Sequence, residues 1–550
     1  MQSKPKPLNV MIIEEDHMLS SSMKNMLKKM GFEDSRIHKA PNLAVFRTLV
    51  SKYTFYLIVC RYSIKDKPIG RKYLYLYREC ERFSYDCSFV FLSDKATGGS
   101  RREIEELFPD SILEIPFNYN EFKPLINESL MKRKILSAVY REIDKGHFKR
   151  AIEICEQLSK KNNIWWIDLY KVIIECYISQ KKYKLAIKTL NDLRTKDTSE
   201  WPLIKLIELN SVLGNEEEVL ALAHEFEVLG YPEHPIVSEV TAHQSILDSD
   251  IKKALELIKK IVLRYPHLID ATVNLAYLYI AFDDYRKAYA FMSKVDYDLI
   301  LNEQQFFAVE EVKTFLEIML DSKRGNPYDS RALGPKLTKI MNLDGKQVDD
   351  LKLTKRLYQI VRDITTRNPV CAAKRIQEMY SKTQLPHRKL LLMAVAYHLG
   401  FTDELTGWLD SETERLSEVR HINAAVTITL CRKLYELKDQ KLEKIGKATE
   451  LEEQGRVLES LAILSKEIPS LITHHSNFVN AMIKYKLSID DDINMLTSQF
   501  KSSIAVVFKN LQRQDPNHPK LTNIKKVQGM VLSKLEIEKR KAQSQQRARG

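Results

Sequence analysis

At 550 residues the chain is too long for a single hydrophobic core, and its length points to about three or four folding units. Its 86 basic and 73 acidic side chains leave a net charge of +13, but the two signs are mixed along most of the chain; this pattern suits solvated helix faces and argues against nucleic-acid binding. Seven cysteines, with no Cys-x-x-Cys or Cys-x-x-His spacing, argue against a disulfide framework and a zinc site and fit a reducing compartment.

Gly (16) and Pro (18), the residues that cost most inside helices, are scarce, so mostly helix is expected. Residues 1–7 have no apolar segment behind their lysines, and no apolar run approaches the length that spans a bilayer. A cytoplasmic protein with no integral membrane segment is expected.

Residues 8–13 form a short apolar run ending in Glu14, Glu15 and Asp16, after which residues 18–30 space their apolar side chains as a helix does. Residues 55–60 and 88–92 are further continuous apolar runs, each followed by a polar loop. Such runs, separated by helical stretches, suit buried parallel strands, and ligands meet a sheet of that kind at the carboxyl ends of its strands. Glu14, Glu15, Arg61 and Ser93 converge at those ends.

With these residues in place, segment 7–130 resembles the receiver domain of bacterial response regulators. The resemblance implies an α/β fold with a doubly wound, parallel, five-stranded sheet of the flavodoxin-like type. It also implies a site in which an acidic pair after the first strand holds Mg²⁺ and an Asp ending the third strand accepts phosphate. A Ser or Thr ends the fourth strand, and a Lys-Pro pair ends the fifth. Glu14 and Glu15 match the acidic pair, with Asp16 beside them, and Ser93 matches the hydroxyl. Arg61 stands at the phosphoacceptor position and Ile115 at the Lys position, followed by Pro116 where receivers usually have a cis peptide bond.

A guanidinium cannot serve as the carboxylate nucleophile, and losing the Lys removes a cation that would stabilise the phosphoryl group, so covalent phosphorylation is expected to be absent. Two readings of Arg61 stand side by side: a guanidinium paired with Glu14, Glu15 or Asp16, or one turned out to solvent. Asp66, Asp86 and Asp94 in nearby loops read as cap or turn residues.

From residue 131 an internal period takes over. Segments 146–152, 181–187, 249–255 and 283–289 superimpose, with a weaker copy at 214–220. Their anchors Ala151, Ala186, Val219, Ala254 and Ala288 lie 35, 33, 35 and 34 residues apart. This resembles the tetratricopeptide repeat, a helix pair with a period of about 34 residues. The small anchor lets two antiparallel helices approach, Phe148, Tyr183 or Tyr285 fills the gap between them, and Pro266 closes a repeat. Tyr177 and Tyr279 supply the aromatic of the preceding helix. Each pair buries its face only by stacking on the next, so residues 131–320 are expected to form a superhelix whose groove takes a peptide or protein segment. Trp165 and Trp166 read as packing residues.

Gly and Pro between 321 and 335 mark a boundary. Beyond it, stretches 348–367, 371–380, 388–399, 419–437, 442–464 and 477–485 read as helices. Residues 336–535 read as a divergent helical-repeat region, with echoes of the repeat at 392–397 and 515–519, and residues 536–550 as a basic flexible tail. His421, His474 and His475 lack ligand-spaced neighbours, so no metal site is expected. There is no P-loop, G-x-S-x-G or H-E-x-x-H motif, so no catalytic residue, cofactor or enzymatic activity is expected either.

These readings point to a cytoplasmic signalling scaffold of the two-component, phosphorelay type. Its partners would be kinases or receivers at the first domain and a protein segment in the repeats, and self-association is allowed. The alternative is a repeat-based assembly factor for a pilus or flagellum. A phosphatase acting on genuine receivers is a third reading.

Overall fold

The computed structural model describes residues 8–323, with gaps at 66, 81–82, 85, 95–97, 161–163, 232 and 283. It also describes most of 352–360, residues 369–456 with gaps at 384–385, 400–401 and 417–421, and scattered residues from 459 to 544. The expected helices at 348–367 and 477–485, the motif at 515–519, the tail, and His421, His474 and His475 lie wholly or mostly outside the described residues. One compact unit takes in the described residues of Met1–Ser245, Glu256–Ile269 and Asp296–Gln305, the other those of Ile246–Leu255, Asp270–Val295 and Phe306–Gly550.

The first unit opens with strands and helices in alternation: β1 (Val10–Ile13), α1 (His17–Lys29), β2 (Ile37–Ala40), α2 (Leu43–Lys52), β3 (Leu57–Arg61), α3 (Gly70–Arg78), β4 (Ser88–Asp94), α4 (Gly98–Glu105), β5 (Ser111–Ile115) and α5 (Tyr119–Asp144). All strands pair in parallel, in the order β2-β1-β3-β4-β5. This is the doubly wound flavodoxin-like order.

The apolar runs exist because β1, β3 and β4 have helices on both faces. Successive side chains alternate between two cores. Met11, Ile13, Ile58, Cys60, Phe89 and Phe91 face Phe46 of α2 and Tyr73, Leu74 and Tyr77 of α3. Val10, Ile12, Leu57, Val59, Val90 and Leu92 face Met23 and Leu27 of α1 and Phe122 and Ile126 of α5. Strand β2, at the sheet edge, buries Ile37 and Ala40 at its ends and leaves His38 and Lys39 half-buried between them, so it gave no apolar run to read. Asp16 ends β1 by capping α1, its Oδ1 accepting from the amides of Met18 (2.7 Å) and Leu19 (3.2 Å).

Helix α5 runs unbroken past residue 130, so the last helix of the α/β layer continues as the first helix of the repeats. After it come α6 (Phe148–Ser159), α7 (Trp166–Ser179), α8 (Tyr183–Arg194), α9 (Trp201–Leu213), α10 (Glu216–Val228), α11 (Pro235–Leu247), α12 (Ile251–Arg264), α13 (Ile269–Ala281), α14 (Tyr285–Met292) and α15 (Glu303–Lys323). Each period is two helices, and α5 to α10 pack each on the next, a TPR-type helical region. Ala151, Ala186, Ala254 and Ala288 are fully buried and Val219 nearly so. Five residues before four of these anchors, Gly146, Lys181, Gly214 and Ser249 all adopt positive φ (74°, 56°, 74° and 62°). The turn inside each helix pair demands a left-handed residue; glycine fills it without strain and Lys181 and Ser249 accept it.

In the second unit Tyr285 packs edge-on against Phe315 (6.2 Å between ring centres) and Tyr279 stacks on Phe291 (5.9 Å). Beyond residue 368 lie α16 (Pro369–Lys382), α17 (Pro386–Leu399), α18 (Thr402–Leu416) and α19 (Ile422–Glu453). Helix α18 was not expected. Its inward row is Leu405, Leu409 and Glu412, and the buried Glu412, held by Lys389 (2.6 Å) and Arg415 (2.6 Å), breaks the apolar period that would have announced it. Helix α19 passes straight through the break expected at 438–441, and α15 extends to Lys323, three residues into the expected 321–335 boundary, whose remainder lies outside the described residues.

Candidate functional site

The carboxyl ends of β1, β3 and β4 meet around Arg61. Because β3 pairs with both β1 and β4, the last residue of β3 is flanked by acids from both neighbours. One guanidinium nitrogen lies 3.0 Å and 3.3 Å from the two Asp94 oxygens, the other 3.5 Å from Glu14 Oε2, and Nε donates to the Ser63 carbonyl at 3.0 Å. Arg61 therefore bridges two strand ends and fastens the loop that follows its own strand.

Burial raises the Glu14 carboxyl above its ordinary value, against the lowering effect of the Asp16 amide, which it accepts at 3.0 Å, and of Arg61. Burial also works against the Arg61 cation, but Glu14 and Asp94 outweigh it and hold the guanidinium above its ordinary value. Burial takes the Cys60 thiol well above its ordinary value, so Cys60 packs rather than reacts. Glycine is required next to this centre, because a Cβ on Gly70 would stand 2.7 Å from Tyr62 Cα and 2.9 Å from the Arg61 carbonyl oxygen.

Of the other residues singled out here, Glu15 is half exposed and 3.9 Å from Lys65 Nζ, while Asp16 is spent on the α1 cap. Ser93 donates to the Asp94 carbonyl at 3.4 Å. Ile115 ends β5 without a charge, and the Ile115–Pro116 peptide is cis. Asp94 was read from sequence as a cap or turn residue; it is instead the nearer of the two carboxylates paired with Arg61. The signal missed was strand length, since β4 extends two residues past the apolar run and carries Asp94 to the sheet edge. Among the described residues, no group of three or more His, Cys, Asp or Glu side chains is arranged to hold a metal ion, and no helix is long and apolar enough to cross a membrane.

A second constellation joins this α/β layer to the repeats within the first unit. Arg102 of α4 pairs with Glu200 (2.5 Å) and donates to the Glu233 carbonyl (3.1 Å). Glu106 accepts from His234 Nε2 at 2.9 Å, while His234 Nδ1 accepts the Ile236 amide at 3.2 Å, which sets the tautomer. Phe108 meets Trp201 edge-on at 5.3 Å, with the Lys171 ammonium 4.8 Å and 5.1 Å from the two ring centres. Lys67, in the loop after Arg61, pairs with Asp296 (2.6 Å) and Asp298 (3.1 Å), and Lys72 donates to the Asp298 carbonyl at 3.0 Å. None of these contacts was read from the sequence.

No family model matches the chain, and no curated protein matches it. Solved structures do. One is the APC/C hetero-tetramer Cut9-Hcn1, at 12% identity, covering 75% of this chain and 81% of that chain, with a TM-score of 0.35. Another is Naa15/Naa10 bound to HypK-THB, at 12% identity, covering 74% of this chain and 80% of that chain, with a TM-score of 0.23. Both likenesses are remote and say nothing of function.

Proposed function

We propose that the protein is a non-catalytic signalling adaptor of the two-component type, in which a receiver-like domain that cannot be phosphorylated is joined to protein-binding repeats. The observation that carries this reading is Arg61. In a doubly wound sheet the ligand position lies at the carboxyl ends of the central strands, and here that position is taken by a guanidinium salt-bridged to Glu14 and Asp94. The arrangement has the donors and acceptors of a closed ion-pair centre. It has no carboxylate free of the cation at the end of β3 and no lysine at the end of β5. The domain is thus suited to docking rather than phosphoryl transfer, and the helix pairs behind it supply the extended surface that such repeats use for protein recognition.

Affinity capture with the immobilised protein, read by mass spectrometry, tests this. Enrichment of histidine kinases or receiver proteins is the expected result. Enrichment of pilus or flagellar envelope components alone would replace the signalling reading with an assembly role, and turnover of phosphorylated receivers by the protein would replace it with an enzyme.

A further inference from the structure

Lys171 of α7 stands at the wall between two adjoining cavities of about 690 Å³ and 360 Å³, which also share Glu106, Phe108 and Asp168. Its ammonium lies over the rings of Phe108 and Trp201. A ring face attracts a cation, but it does not accept the three N–H bonds of an ammonium as oxygen atoms would. Among the described residues no hydrogen bond or ion pair ties this ammonium down. Burial holds it below its ordinary value, and the charge of Asp168 works the other way.

The acids along the cavities are already taken. Asp168 pairs with Lys132 (2.6 Å), Asp110 with Arg133 (2.7 Å), Glu106 with His234 (2.9 Å), Glu105 with Arg101 (3.0 Å) and Glu200 with Arg102 (2.5 Å). Glu79 and Glu175 stand exposed. Lys205 has Glu208 at 2.6 Å, and the exposed Arg78 donates to the Leu107 carbonyl at 3.1 Å. Lys171 thus has rings where its neighbours have carboxylates. A second donor stands open beside it: Trp201, 8% exposed and lining the smaller cavity, has an indole N–H with no acceptor.

The larger cavity is walled by Leu74, Phe83, Phe89, Ile143, Phe148 and Val172. Its volume and its apolar walls with a few polar groups are those of a small-molecule site. Helix α5 fixes this space, because it packs Phe122 and Ile126 into the sheet core and Leu136 and Val139 into the first repeat core without a break. Phe108, which holds one ring against the ammonium, sits at φ +54°, a strained conformation for a bulky residue and one that gathers at ligand sites.

We propose that the two cavities form a binding site for a small organic monoanion, a carboxylate on an apolar, ring-sized body, with the carboxylate on the Lys171 ammonium and the body in the larger cavity. One cation without a carboxylate answers one negative charge, and the paired acids around it repel a second, which disfavours phosphate. The site does not depend on the adaptor reading, since it needs neither a partner protein nor any change at Arg61.

Isothermal titration calorimetry of the whole protein with 4-phenylbutanoate tests this, with 4-phenylbutanamide, acetate and inorganic phosphate as comparators. Saturable one-to-one binding of 4-phenylbutanoate is expected, about tenfold or more tighter than the neutral amide, which lacks the charge, and than acetate, which lacks the body. Lys171→Gln is expected to bring the carboxylate down to the affinity of the amide, and Lys171→Arg to keep most of it. Absence of saturable binding, equal affinity for carboxylate and amide, or phosphate binding as tightly as 4-phenylbutanoate would overturn the proposal, and none of these readings needs a variant. A folded Lys171→Gln protein that binds the carboxylate as tightly as the parent would overturn it as well.

Discussion

Arg61 and Arg388 are both arginines gripped by carboxylates, but in surroundings that give them opposite physical roles. Arg388, fully buried in the second unit, reaches Glu311 with two nitrogens at 2.7 Å and 3.0 Å, and Thr354 completes the group by donating to Glu311 at 2.6 Å. Arg61 keeps about a quarter of its side chain in solvent and shares its charge between two acids, one of them half exposed. A fully desolvated pair is an all-or-none object, since removing one partner strands the other charge. A solvent-washed pair contributes little energy and can instead fix geometry. The first holds a fold together; the second fixes the ends of two strands.

The comparison can be broken at its strong end. Arg388→Ala is expected to destabilise the protein by about 3–5 kcal/mol in urea denaturation, while a double change to apolar residues, Arg388→Met with Glu311→Leu, should recover most of the loss. If Arg388→Ala costs no more than an exposed pair, the distinction fails.

An intermediate case is His267, where burial, with Arg71 adding in the same sense, lowers the imidazole pKa from its ordinary 6.5 to about 4. The unfolded chain takes up this proton below pH 6.5 and the folded chain only near pH 4. The stability tied to the neutral imidazole is therefore complete above pH 6.5 and falls by about 3 kcal/mol as pH drops to about 4. His267→Gln should flatten that part of the pH–stability curve, read from chemical-denaturation midpoints between pH 7 and 4.

At the weak end, Arg61→Asp places three carboxylates together and should cost about 1–2 kcal/mol, measured by thermal melting. Arg61→Ala should cost less than Arg388→Ala, since Asp94 is half exposed and is resolvated, but more than loss of a surface pair, because it leaves the buried Glu14 carboxylate without its cation. It should also loosen the loops after β3 and β4, visible as faster amide exchange around Lys67 and α4. An effect of Arg61→Ala as large as that of Arg388→Ala would show that the strand-end pair supports the fold.

Much of the architecture was legible because two periodicities write it openly. Strands β1, β3 and β4 are covered on both faces and must be apolar throughout, and the repeat anchors must be small every 33 to 35 residues. Strand β2, at the edge, and α18, with Glu412 on its inner face, were hidden for the same reason: each mixes polar and apolar positions where a neighbour compensates. At the site, Arg61 was legible as an exception to a motif, but its partner Asp94 was not, because the length of β4 is decided by pairing with β5.

Incubation of the protein with Mg²⁺ and acetyl phosphate, followed by intact-mass measurement, decides whether the strand-end centre grips without reacting. An unchanged mass, with no binding of beryllofluoride by titration, is the predicted result. An acid-stable, base-labile phosphate increment on a carboxylate at the ends of β1, β3 or β4 would contradict it.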